Sequence, residues 1–175
     1  MKEISGQVTL HGSPLTLVGQ EVVKGQKAPD FHLIDGDLKE MHLSDFEGKV
    51  VLLVCVPSLD TPVCDMESRR FESEALSLGN AVEILVVSMD LPFAQKRWCG
   101  ASHATRIKTA SDHREASLGL AYGVLIKELR LLARAIFVID QDGIVRSIHR
   151  VNELSKEPDY EEVLSIVRGL LNRKA

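Results

Sequence analysis

The chain holds three cysteines, Cys55, Cys64 and Cys99, and Cys64 sits where local sequence prepares a thiol for nucleophilic chemistry. It ends the stretch Pro57-Ser58-Leu59-Asp60-Thr61-Pro62-Val63-Cys64, in which Thr61 suits the N-cap of a helix and Pro62 its first position. In that frame Cys64 is the third helical residue, on the same side of the first turn as the Thr61 hydroxyl. Unpaired backbone N–H groups and the positive end of the helix dipole favour thiolate over thiol there. A free thiol with pKa about 8.5 is only a few per cent ionised at neutral pH, and each unit of depression raises the thiolate fraction nearly tenfold. A helix end plus one cation can supply depression of that order, so a nucleophilic Cys64 is the expectation. The competing reading of a lone cytosolic cysteine is a small buried hydrophobe, and the capped, Pro-led helix start weighs against it.

Cys99 lies at the end of Leu91-Pro92-Phe93-Ala94-Gln95-Lys96-Arg97-Trp98-Cys99-Gly100, a predicted helix that Asp90 caps and Pro92 opens. Cys55 falls inside the apolar run VVLLVCV, residues 50–56, where a small thiol packs and nothing nearby ionises it. The six histidines, His11, His32, His42, His103, His113 and His149, are dispersed along the chain and none forms a Cys-His motif, so surface or packing roles are expected for each. An odd number of cysteines without C-x-x-C argues against a disulfide scaffold, and so few thiols without clustered histidines argue against a structural zinc site. No cofactor is expected.

The elements that must position these thiols follow from apolar patterning. Residues 50–56 and 82–88 (VEILVVS) are apolar on both faces, as central strands are, and a helical stretch from about residue 64 to 78 separates them. A third such run, residues 135–140 (AIFVID), passes through Gln141-Asp142-Gly143 into residues 144–149, a predicted hairpin. Residues 7–18 form two alternating runs around His11-Gly12-Ser13-Pro14, an N-terminal β-hairpin. Short strand-like pieces at 30–34 and 40–43 flank a turn at Gly36, and residues 160–173 form an amphipathic helix. This order belongs to the α/β class: a thioredoxin-like fold, with a central mixed β-sheet flanked by helices and an added N-terminal β-hairpin.

The 175 residues, 45% of them hydrophobic, suit a single domain spanning 1–175. A net charge of −4, with Lys and Arg scattered among acids, excludes a nucleic-acid face. The N-terminus lacks the apolar core of a signal peptide and no run reaches membrane-spanning length, so a soluble cytoplasmic protein without a membrane partner is expected.

The segment ending at Cys64, Arg69-Arg70-Phe71 after it, Asp90-Leu91-Pro92-Phe93-Ala94-Gln95 leading to Cys99-Gly100, Leu131-Leu132-Ala133-Arg134-Ala135 and Glu157-Pro158-Asp159-Tyr160 together resemble the peroxiredoxins. The resemblance is closer to the thiol peroxidase family of atypical two-cysteine peroxiredoxins and spans nearly the whole chain. A bare T-x-x-C arises by chance, whereas the ordered set does not. The resemblance implies that Cys64 is the peroxidatic cysteine, oxidised by peroxide to a sulfenic acid, and that Cys99 is the resolving cysteine, condensing with it to an intramolecular disulfide. It implies that Thr61 hydrogen-bonds the thiolate and the peroxide, that Pro57 shields the site from solvent, and that Arg134 stabilises the thiolate and the charge of the breaking O–O bond. Their alternative roles are helix cap, turn former and solvated strand-edge arginine. Arg130 lies one helical turn before Arg134 if that stretch is helical, and the family motif alone separates the two.

Two cysteines on different helices join only if their turns lie close or partly unwind, because a disulfide needs Cα atoms within about 7 Å. The resemblance also implies recycling by thioredoxin, recharged by thioredoxin reductase and NADPH, and a homodimer. Trp98 departs from the phenylalanine usual before the resolving cysteine, and residues 102–106 are a variable stretch. Asp112-His113-Arg114 recurs in the family without a chemical role that the sequence supplies. Two other functions fit a thioredoxin-like chain: a thiol–disulfide oxidoreductase or redox sensor, which the lack of C-x-x-C disfavours, and a binding module with incidental cysteines.

Overall fold

The apolar runs become the centre of a seven-stranded mixed sheet. The computed structural model describes residues 1–172. Its main strands are β3 (Leu33–Ile34), β4 (Glu40–Met41), β5 (Val50–Cys55), β6 (Val82–Ser88), β7 (Lys108–Ser111), β10 (Ala135–Ile139) and β11 (Val145–Arg150), in the order β11-β10-β5-β6-β7-β3-β4. β5, β6 and β7 run parallel, while β10 pairs antiparallel with β5 and with β11. Every residue of β5, β6 and β10 is buried, which is why these runs are apolar on both faces.

Three helices cover one face: α1 (Pro62–Leu78), α2 (Pro92–Ser102) and α4 (Tyr160–Asn172). Their Phe71, Ala75, Trp98, Val163 and Val167 share a core with Leu52, Val54, Ile84, Val86 and Ile136 of the sheet. The opposite face of β5, with Leu53 and Cys55, packs against a second sheet and the short helix α3 (Ser117–Ala121). That sheet joins β1 (Lys2–Leu10), β2 (Ser13–Gly19), β8 (Leu125–Ile126) and β9 (Leu131–Leu132) in that order. The N-terminal hairpin therefore forms, and it begins earlier than residue 7. A register shift between Ser5 and Val8 breaks the alternation that marks a strand in sequence. The predicted end of the last helix, Arg173, lies outside the described residues.

β5 feeds α1 and β6 feeds α2 through parallel crossovers, so both thiol-bearing helices leave the same end of the sheet. A cleft of 480 Å³ over Lys27, Phe46, Lys49 and Asp142 opens at the other end of β5.

Candidate active site

Thr61 is the N-cap of α1, in extended conformation, and Pro62 follows in the first turn, as the sequence predicts. The expected capping bond is not made. The Thr61 hydroxyl instead donates to the Ser58 carbonyl at 2.9 Å, and the Thr61 side chain caps none of the first-turn N–H groups beside Cys64. The positive helix end is thereby left facing the thiol. Pro57 is buried at the end of β5, and Cys64 has 0% exposure.

Arg134, just ahead of β10, reaches Cys64 with both terminal nitrogens, Nη1 and Nη2 each 3.5 Å from Sγ. Its side chain is 2% exposed, which removes the alternative of a solvated strand-edge arginine. Two further acceptors fix the guanidinium: Glu67 Oε2 at 2.5 Å and the Leu154 carbonyl at 2.8 Å. Arg130 is no rival, because residues 125–132 form a hairpin and Arg130 sits exposed in its turn with φ 53°.

Burial acts on these groups in opposite senses. It lifts the Glu67 carboxyl to about 7, against the pull of the neighbouring Arg134 cation. For Arg134 burial works against the charged form, but the Glu67 carboxylate and then the Cys64 sulfur outweigh it and hold the guanidinium above its ordinary value. Burial also pushes the Cys55 thiol well up, so Cys55 is the inert packing residue its apolar strand suggests.

Cys99 is on α2, partly buried, with Sγ 3.4 Å from Thr109 Oγ1 on β7. Cys64 and Cys99 are both free thiols. The group gripping Cys64 stands beside β10 and the one touching Cys99 is on β7, three strand positions apart in the sheet.

Several residues of the site escape sequence reading. Asp90 does not cap α2, whose N-cap is Leu91. Its carboxylate accepts from Ser58 Oγ at 2.7 Å, Leu59 N at 2.8 Å and Ser88 Oγ at 2.7 Å, pinning the loop before Cys64 to the end of β6. Glu67 has a sequence signal: it is an acid within the stripe Cys64, Ser68, Phe71, Ala75 and Leu78 that α1 buries, and a buried acid needs a cation. Trp98 Nε1 donates to Asp65 Oδ1 at 2.7 Å, and Asp65 also accepts from Arg69 Nε with both oxygens. Residues adjacent to each thiol thus tie α1 to α2. Asp112 acquires a structural role, accepting from Leu118 N and Gly119 N at 3.1 and 2.8 Å. The histidines are not all dispersed in space, since the His32 and His42 rings stack 5.0 Å apart.

Two free thiols beyond parallel strands of a thioredoxin-like sheet, one gripped by a buried guanidinium, define the class of cysteine-based redox proteins. The chain belongs to the Redoxin family, which it matches over residues 23–164. It is similar to the thiol peroxidase of Oceanobacillus iheyensis, 52% identical over 158 residues covering 90% of this chain and 96% of that one. The thiol peroxidase of Bacillus subtilis is 48% identical over 165 residues, covering 94% and 98%. Among solved structures, a peroxiredoxin-like protein from Aquifex aeolicus superposes with a TM-score of 0.88 at 40% identity, covering 95% of this chain and 98% of that one.

Proposed function

We propose that the chain is a thiol peroxidase that reduces hydrogen peroxide and organic hydroperoxides with Cys64 as the attacking thiol. The observation that carries this reading is the pair of Arg134 N–H groups 3.5 Å from the Cys64 sulfur. A guanidinium there stabilises a negative sulfur before attack and the negative oxygen that leaves as the O–O bond breaks. The sulfur takes one peroxide oxygen to become a sulfenic acid, and the other oxygen departs, with a proton, as water or alcohol. Uncapped N–H groups at the α1 start supply further donors for the peroxide, and the Thr61 oxygen, whose proton goes to the Ser58 carbonyl, is left to accept from it. The buried Pro57 limits access of bulk water.

In the second half of the cycle the Cys99 thiolate attacks the Cys64 sulfenic sulfur, water leaves, and the Cys64–Cys99 disulfide forms. Cys64 is fully buried on α1 against Arg134, while Cys99 on α2 touches Thr109 and the two thiols are not joined, so this step calls for local opening of α1, α2 or both. Two thiols of a thioredoxin-type reductant, recharged by thioredoxin reductase and NADPH, restore the dithiol. We place the enzyme in the cytoplasm, as one domain in a homodimer; no helix among the described residues is long and apolar enough to cross a membrane.

Trapping of the sulfenic acid tests the assignment. Reduced protein given one equivalent of peroxide and a sulfenate-specific dione should carry the adduct on Cys64. An adduct confined to Cys99, or reactivity toward protein disulfides with peroxide ignored, would favour the oxidoreductase reading.

A further inference from the structure

We propose that the β3–β4 edge of the main sheet is a binding site for a divalent transition-metal ion of the Zn²⁺, Ni²⁺ or Cu²⁺ kind, with His32, Glu40 and His42 as its ligands. The hairpin register brings the three together. Leu33 pairs with Met41 and Ile34 with Glu40, so His32 falls opposite His42, and the two-residue period of a strand puts Glu40 on the same face. The imidazole rings lie parallel, 5.0 Å between centroids and 5° between planes. One ligand atom from each of the three side chains lies within 4.8 Å of the other two. Ligands of one such ion stand about 2.0–2.2 Å from it, hence roughly 3–4 Å from each other, and small rotations about the side-chain bonds of partly exposed groups close that gap.

The surroundings are those of ligands more than of a packed histidine pair. His32 Nε2 is shielded from solvent and makes no hydrogen bond, although Glu40 Oε1 stands only 3.2 Å away. The opposite ring nitrogens each face a carboxylate: His32 Nδ1 is 3.7 Å from Glu115 Oε2, and His42 Nδ1 is 3.7 Å from Asp30 Oδ2. At 3.7 Å these are not hydrogen bonds, but a shift of several tenths of an ångström would let each carboxylate accept from the ring N–H and orient a ligating imidazole. Asp30 is itself anchored, its Oδ1 accepting from Phe31 N and Leu43 N at 2.9 and 2.8 Å. Three carboxylates around two imidazoles suit a dication. Two nitrogens and one carboxylate, with water completing the shell, select borderline transition metals over Mg²⁺ or Ca²⁺. β4 is the outermost strand, four positions from β5, whose end feeds the α1 helix that bears Cys64.

The test is calorimetric titration of ZnCl₂ into the full chain, in the wild type and in a Cys64→Ser, Cys99→Ser background that removes thiol ligation, with histidine-ring nitrogen NMR alongside. The expected result is saturable binding of one ion per chain in both backgrounds, with shifts confined to His32 and His42. Binding should be lost in His42→Ala and weakened by about tenfold in Glu115→Gln. Glu40→Gln, at an exposed position, should also weaken it and guards against a folding defect at position 42. Absence of saturable binding, binding that disappears with the thiols, or binding unchanged by both His42→Ala and Glu40→Gln would overturn the proposal.

Discussion

Replacing Trp98 with phenylalanine should accelerate formation of the Cys64–Cys99 disulfide without changing the first attack on peroxide. The indole Nε1–H bond to Asp65 Oδ1, 2.7 Å long, joins the residue before Cys99 to the residue after Cys64, and in the proposed cycle it is the contact that breaks when the helices part. A phenylalanine keeps most of the buried ring and deletes the donor. Asp65 is not stranded, because its carboxylate is 34% exposed and stays paired with Arg69. A hydrogen bond to a charged group contributes about 1.5–3 kcal/mol net, and partial exposure argues for the lower end. A loss of about 1.5 kcal/mol corresponds to roughly tenfold in the opening equilibrium. If opening precedes condensation, the disulfide should form about tenfold faster, and the reduced protein should lose about 1.5 kcal/mol of stability. Quenched-flow mass spectrometry after one equivalent of peroxide separates the sulfenic acid from the disulfide and needs no tryptophan signal. A disulfide rate changed by less than about twofold, in a variant whose reduced form is measurably less stable, would refute the idea that this contact holds the helices closed.

Arg134→Lys keeps the charge but loses the two-pronged approach to sulfur; sulfenic acid formation, followed by stopped flow, should slow by about 10²–10³-fold. Glu67 titrates higher in the folded chain, at about 7, than its ordinary value of 4.5, so the native state holds a proton that the unfolded chain releases. Its contribution is fully present below pH 4.5 and is lost as pH rises through about 7. Urea midpoints of the wild type should therefore fall across that window relative to those of Glu67→Gln, in which position 67 does not titrate.

Local signals are legible in the chain and distant pairings are not. Thr61 and Pro62 mark the start of α1 because capping and ring geometry act within one turn. Runs 50–56 and 82–88 declare central strands because burial on both faces leaves them wholly apolar or nearly so. Asp90 misleads for a physical reason: a carboxylate two residues before Pro92 can satisfy either its own helix or a neighbouring loop, and only the tertiary approach of Ser58 and Leu59 decides between them. Thr61 is a cap by position, yet its hydroxyl turns back to Ser58. Strands of two residues, such as β8 and β9, are too short to show a period. The meeting of His32 with His42 depends on the register of another two-residue pair. Arg134 is recognisable from its motif, but its hold by Glu67 and the Leu154 carbonyl joins segments 67 and 20 residues away.

In this mechanism Cys64 consumes the peroxide and Cys99 completes the cycle. The decisive experiment is peroxide-dependent NADPH oxidation with thioredoxin and its reductase, run on the wild type and the two serine variants with mass analysis of the products. Sustained turnover is expected of the wild type and none of Cys64→Ser, while Cys99→Ser should consume one peroxide per chain and retain an oxygen on Cys64. Sustained turnover by Cys64→Ser would contradict the assignment of both thiols.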